Sequence, residues 1–212
     1  MCVNLAKNEF RKQAKFALKN EREIFARCKH YDILRVLEKI IKNGKFKRIL
    51  IFIPLKVEPN LMLLRRKLCK NSELFVPFMA DLSFKMVRLR SPFFTAKFGV
   101  KQPLNQNAFK KKIDLAVIPA IGVDGNLARI GHGKGYYDIF FGGLKYQPLI
   151  IFISVKENFT GEIITEKHDL KGDLYITPRK IYTRGKNGRN FILSGGSGYR
   201  CCGGIFHRKK NK

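Results

Sequence analysis

The sequence predicts a single three-layer α/β domain with a mostly parallel, Rossmann-like sheet and a basic extension at its C-terminus. Three observations predict it. Short apolar runs rich in β-branched residues alternate with segments of helical periodicity, the pattern of an α/β layer. The runs are apolar throughout rather than alternating with polar residues, as expected of strands buried on both faces. The chain has 212 residues, 45% of them hydrophobic with 18 Phe and no Trp, which suits one domain with a sizeable core.

Between Leu5 and Lys42, the residues Phe10, Ala14, Ala17, Leu18, Ile24, Cys28, Ile33, Leu37 and Ile41 recur at roughly helical spacing. This predicts one or two helices, ended at Asn43-Gly44 by a left-handed glycine. Arg48 to Ile53 is a β-rich run stopped by Pro54, and Leu61 to Leu68 reads as helical. Runs at Leu74 to Val76, Met86 to Leu89, Leu115 to Ile118 and Leu149 to Ile153 are further strands. In such sheets ligands bind beyond the carboxyl ends of the strands, so the loops after Ile53 and Ile118 are the first places to look for chemistry.

Composition changes after Pro178. Residues 179–212 hold ten Lys or Arg, no Asp or Glu and seven of the 18 glycines, so the expected division is a domain over 1–178 and a poorly ordered tail over 179–212 that catalysis does not need. Phe191-Ile192-Leu193 is the contrary sign, a run able to join a sheet edge.

The formal net charge is +27, from 43 Lys plus Arg against 16 Asp plus Glu, which favours anionic partners without choosing among nucleic acid, nucleotide and folate. The five cysteines form no CxxC pair and no zinc spacing, and their odd number fits a reducing cytoplasm better than a secreted disulfide scaffold. No apolar stretch reaches the roughly 20 residues that span a bilayer.

The strongest signal follows Asp114-Leu-Ala-Val-Ile-Pro-Ala-Ile-Gly-Val-Asp124. It is Arg129-Ile-Gly131-His132-Gly133-Lys134-Gly135-Tyr136-Tyr137-Asp138. Alternate glycines let backbone approach a ligand and aim several N–H groups at one anion, Arg129 and Lys134 add charge, and a helix start adds positive potential. Phosphate binding is the inference. Lys134 is followed by Gly135 and Tyr136, so the loop is no Walker A, and the glycine spacing is not that of a dinucleotide fingerprint.

Arg129 to Asp138 resembles the Arg-x-Gly-x-Gly-x-Gly-Tyr-Tyr-Asp signature of the 5-formyltetrahydrofolate cyclo-ligases, also called 5,10-methenyltetrahydrofolate synthetases. Three further segments resemble that family in the same order: Lys7-Asn-Glu-Phe-Arg11, Ile53-Pro-Leu-Lys-Val-Glu58 and His168-Asp169-Leu-Lys-Gly-Asp173. The resemblance covers about residues 5 to 178. It implies a monomeric cytoplasmic enzyme that uses ATP and Mg2+ to convert 5-formyltetrahydrofolate into 5,10-methenyltetrahydrofolate, with small molecules as its partners and no membrane.

The resemblance also implies roles. Arg129 and Lys134 are the catalytic candidates. Lys7 and Arg11, four apart on a helix, would clamp phosphate oxygens. With Arg129, Gly131, His132, Gly133, Lys134, Gly135, Tyr136 and Tyr137 they would bind the nucleotide. The two tyrosines would stack on a ring or anchor the helix in the core. Ile53, Glu58, Lys134 and Tyr136 would face the folate, and Phe98-Gly99 and Met86-Val87-Arg88 fall where the family has folate-contacting and core residues. Asp138 and Asp169 would hold Mg2+, with Asp173 a rival to Asp169. One departure is His132, where many members have arginine. The competing readings are a nucleic-acid-binding protein, acting through its basic tail, and an inactive relative that only binds folate.

Overall fold

Two helices account for the N-terminal periodicity, α1 (Cys2–Lys19) and α2 (Glu23–Gly44). In this computed structural model the described residues are 2–20, 23–80, 83–96, 99–104, 107–184 and 190–194; Phe98 lies outside them. Helix α2 buries Ile33, Leu34, Leu37 and Ile41 along one stripe. It ends differently from the expectation: the left-handed residue is Lys45, with φ of 51°. Gly44 is needed for space instead, because a Cβ there would lie 2.1 Å from the Phe46 ring.

The rest of the chain alternates as expected, with more strands. In order come β1 (Arg48–Leu50), a 3-10 turn (Leu61–Leu64) running into α3 (Arg65–Leu68), β2 (Glu73–Ala80), β3 (Ser83–Arg88), β4 (Phe93–Thr95), β5 (Lys101–Pro103) and β6 (Leu115–Pro119). Then follow β7 (Gly122–Val123), β8 (Arg129–Ile130), α4 (Tyr136–Gly142), β9 (Leu149–Ile153), β10 (Leu174–Ile176), β11 (Lys180–Arg184) and β12 (Asn190–Ser194). The first strand is shorter than its apolar run: the Ile51 amide still donates to Phe75 O at 2.8 Å, after which the chain turns into the loop that carries Glu58.

Eight strands form one sheet in the order β12-β11-β10-β9-β6-β1-β2-β3. The strands β10, β9, β6, β1 and β2 run parallel, and β3, β11 and β12 add antiparallel edges. Alternate residues sort into two cores. Ile49, Leu74, Leu115, Val117, Ile151 and Leu174 pack with α1, α2 and α3, whereas Leu50, Phe75, Ala116, Ile118, Phe152 and Tyr175 pack with Tyr137 and Phe141 of α4. Both faces are covered, so both parities are apolar, and the three layers expected from the unbroken runs are present.

The sheet does not stop at residue 178. Lys180–Arg184, expected to begin the loose tail, is a strand paired with β10, and Ile181 and Tyr182 are buried. Tyr182 stacks on Tyr175 and Phe159 at centroid distances of 5.7 and 4.5 Å, and that apolar burial offsets the ordering cost that the basic composition suggested. The Phe191-Ile192-Leu193 run lies within β12, paired with β11. The remainder of the basic segment lies outside the described residues.

From β1 the chain passes to β2 on one side and later to β6 on the other. Strands β1 and β6 therefore flank the switch point where crevices open in such sheets. The loop carrying Glu58 and the stretch Pro119–Ile121 line a pocket there, with His132 on its rim.

Two outcomes follow from this packing. Truncation after Pro178 removes the buried Ile181 and Tyr182, so urea unfolding should show a loss of more than about 3 kcal/mol, the scale of one deleted buried aromatic; equal stability would mean that β11 adds nothing. His30 on α2 is buried with its Nε2 unbonded among the described residues, and burial lowers its pKa below 6.5. It is neutral in the fold and takes up a proton on unfolding, so its contribution is lost as pH falls below about 6.5. His30→Leu should flatten the fall in melting temperature between about pH 7 and pH 5; parallel curves for the two proteins would refute this.

Candidate active site

The switch-point loops are fixed by backbone hydrogen bonds to carboxylates. Asp124, fully buried after β7, accepts from the amides of Asn126 and Ala128, both at 2.9 Å, and so closes the turn into β8. Its other oxygen accepts from the Thr165 amide at 3.2 Å and from the Thr165 hydroxyl, tying the β7–β8 hairpin to the loop that carries Asp169. Gly125 permits that closeness, because a Cβ there would come within 2.3 Å of Gly161 O.

The hairpin aims Arg129 inward. Its Nε donates to Pro119 O at 2.9 Å, and its guanidinium carbon lies 4.7 Å from the centre of the Tyr137 ring. Burial lowers the Arg129 pKa, and Tyr137, Asp138, Glu58 and Asp169 oppose the shift. Gly131 is small for a packing reason, since a Cβ there would fall 2.3 Å from the guanidinium. Gly133 and Gly135 have φ of 103° and 69°, which side-chain-bearing residues rarely adopt. Gly135 caps α4, which is only seven residues long.

Glu58 faces the same region. Its Oε2 accepts from the Leu55 amide at 2.9 Å. Burial pushes its pKa up to about 7, against the pull of that hydrogen bond and of Arg129. A buried cation and a carboxyl poised near neutrality at one crevice are what a site for a charged, hydrogen-bonding ligand requires.

Helix α1 closes the other side. Phe10 packs where a Cβ on Gly122 would sit, 2.7 Å away. Lys7 and Asp169 form a buried ion pair at 2.6 Å, and Asp169 also accepts from the Glu166 amide at 2.7 Å. One turn on, Arg11 Nε donates to Gly131 O at 3.0 Å, and a further turn on Lys15 Nζ lies 3.4 Å from His132 O. His132 is exposed, and its pKa is lowered first by burial, then by Lys15, Arg129 and Arg11.

The structure thus brings together Lys7, Arg11, Glu58, Arg129, Gly131, His132, Tyr137, Asp138 and Asp169. Asp138 Oδ1 accepts from the Leu170 amide at 3.0 Å, which places it beside Asp169. Lys134 is exposed on the loop, and Tyr136 is half-buried against the core beneath α4. Tyr137 is a core residue with its phenol pKa raised by burial. Ile53 packs into the core on the α1–α2 side, and Met86 and Val87 are buried in the sheet while Arg88 pairs with Glu73 on the surface. Asp173 is not brought in. It accepts from the Ile150 amide at 2.9 Å at the start of β9, the opposite edge of the sheet.

Sequence reasoning missed Asp124, Thr165 and Lys15 as parts of this arrangement. The Asp-Gly-Asn turn after β7 is a signal for an Asx turn, and Lys15 continues the four-residue spacing of Lys7 and Arg11. Nothing local marks Thr165, whose partner is 41 residues away.

Residues 4–178 match the family model described as the 5-formyltetrahydrofolate cyclo-ligase family. The 5-formyltetrahydrofolate cyclo-ligase of Mus musculus is 27% identical over 191 residues, covering 81% of this chain and 93% of the mouse protein. Among solved structures, the 5,10-methenyltetrahydrofolate synthetase of Aquifex aeolicus is similar with a TM-score of 0.71 at 23% identity, over 82% of this chain and 91% of that one. That of Mycoplasma pneumoniae gives 0.67 at 23% identity, over 80% and 97%. These two support the fold. With the glycine-rich loop, the buried Arg129 and Glu58 at the switch point all inside the matched span, the chain belongs to the 5-formyltetrahydrofolate cyclo-ligase family.

Proposed function

We propose that this protein converts 5-formyltetrahydrofolate into 5,10-methenyltetrahydrofolate at the expense of ATP, releasing ADP and phosphate. The observation that carries the reading is the buried Arg129, held by Pro119 and Tyr137 between the glycine-rich loop and Glu58. The N5-formyl oxygen is a poor leaving group. Once it carries a phosphoryl group, N10 attacks the formyl carbon and the oxygen departs as phosphate.

The chain's own contribution is position and charge. Arg129 offers a fixed guanidinium to charge developing on the phosphoryl oxygens. The amides from Gly131 to Gly135 and the exposed Lys134 hold the phosphate chain, with Arg11 above them. Glu58 accepts hydrogen bonds from the pterin, and Tyr136 flanks the ring.

Magnesium fits the carboxylates present. Asp138 and Asp169 are neighbours through the Leu170 amide, each with one oxygen engaged by backbone N–H, and a hard dication takes one or two carboxylates together with phosphate oxygens and water. When bound it would neutralise phosphate charge. Asp169 would share that role with its bond to Lys7. We place the enzyme in the cytoplasm as a monomer; the free, exposed Cys69 fits a reducing compartment.

The test is formation of methenyl product from purified protein with and without ATP and magnesium. Turnover requiring ATP is the expected result. Folate binding without turnover would point to an inactive relative, and salt-sensitive RNA binding alone to a nucleic-acid protein.

Glu58 gives a sharper check. An ionised Glu58 accepts from the pterin, so kcat/KM for the folate should fall as pH drops through about 7, where its carboxyl takes a proton. Glu58→Gln should lower kcat/KM by about tenfold or more and remove that inflection. An inflection unchanged in the variant would assign it to another group.

A further inference from the structure

An uncharged side chain outside the cluster of charged residues bears on where Arg129 stands. Residues 119–123 support Arg129 twice: Pro119 O accepts from its Nε at 2.9 Å, and Val123 is its register partner across β7 and β8. Asn158, in the loop after β9, holds the middle of that stretch at two points. Its Nδ2 donates to Ile121 O at 2.8 Å, and its own carbonyl accepts from the Val123 amide at 3.0 Å. The approach is so close that a Cβ on Gly122 would lie 2.6 Å from Asn158 O. Asn158 is set in turn by Tyr175 of β10, which is fully buried. The Tyr175 hydroxyl accepts from the Asn158 amide at 3.3 Å and donates to Lys156 O at 3.1 Å, and its ring stacks on Tyr182 of β11.

We propose that Asn158 and Tyr175 are positioning residues for Arg129, acting through the β7–β8 hairpin rather than on a ligand. Strands β7 and β8 have two residues each and form a sheet of their own, apart from the eight-stranded one. So short a hairpin is not stable by itself and takes its place from what it is tied to. The Asp124–Thr165 bonds hold its turn, and Asn158 holds the opposite end, where the chain leaves Pro119. Loss of the Asn158 amide frees Ile121 and Val123, and with them both supports of the guanidinium. A catalytic group displaced by about 1 Å loses up to about a hundredfold in rate, and Arg129 answers charge that develops only during phosphoryl transfer. The loss therefore falls on kcat rather than on KM. The proposal rests on the role given to Arg129 above.

The experiment measures kcat and the KM of ATP and of folate for the full chain and for Asn158→Ala, Tyr175→Phe and Ile41→Val. Solvent exchange of the Arg129 Nε–H is followed by NMR on the same proteins carrying isotope-labelled arginine. Ile41 is buried in the core on the α1–α2 side, so its trimming costs stability without touching the hairpin. Asn158→Ala should lower kcat about tenfold with each KM within about twofold, and should speed the Nε–H exchange about tenfold. Tyr175→Phe keeps the ring and loses only the hydroxyl, and should lower kcat about threefold to tenfold with faster exchange. Ile41→Val should lower the melting temperature and leave kcat and the exchange as in the unmodified protein. If kcat or the exchange is unchanged in Asn158→Ala, or if Ile41→Val loses as much kcat, the positioning role falls and the activity reading stands. If the unmodified chain does not turn over, the activity reading falls, and the exchange rates alone decide whether Asn158 and Tyr175 hold Arg129.

Discussion

A guanidinium taken out of water must find its compensation in the surrounding fold, and Arg129 sets that requirement here. Its Nε is answered by the carbonyl of Pro119 where β6 ends, its face by the Tyr137 ring of α4, and its charge by the field of Glu58, Asp138 and Asp169. Those groups come from the loop after β1, the first turns of α4 and the loop before β10. Each arrives at the carboxyl edge because β1 and β6 are parallel neighbours whose chains leave in opposite directions across the sheet. Gly131 follows from the same residue, since only a hydrogen fits against the guanidinium.

Acidic residues are scarce in this chain, 16 among 212, and many of them hold backbone rather than balance surface cations. Asp114 accepts from the amides of Lys47 and Arg48 at the base of β1, Asp124 from Asn126 and Ala128, Asp138 from Leu170, Asp169 from Glu166 and Asp173 from Ile150. Such amide bonds stiffen the turn around each carboxylate. The polar loops at the sheet edges are therefore built with charge where the strands are built with apolar area.

The net charge of +27 therefore needs a local reading. A long-range positive potential raises the encounter rate of any anion, nucleotide and nucleic acid alike, and falls off within a Debye length of about 8 Å at physiological salt. What separates these partners is geometry: a crevice at a switch point, glycines that let backbone close in, and a buried guanidinium suit a compact anionic ligand. The exposed lysines suit any anion. The Lys7–Asp169 pair shows how much position matters, because the same residue type two turns apart is buried against a carboxylate at position 7 and exposed beside a backbone carbonyl at position 15.

The sequence by itself determined the layers. Unbroken apolar runs require burial on both faces, helical periodicity supplies the covers, and the spacing of Gly131, Gly133 and Gly135 between Arg129 and Tyr136 marks a ligand loop, since each of these is a local property of the chain. Tertiary structure alone decided the rest. Whether β11 belongs to the sheet turned on Tyr182 meeting Tyr175 and Phe159, an apolar gain that the basic composition of the segment conceals. Asp169 and Asp173, four residues apart, went to opposite ends of the strands because the chain between them runs back to the start of β10, which Asp173 directly precedes. Lys7 is paired with a carboxylate 162 residues away, and no local pattern encodes a partner at that distance.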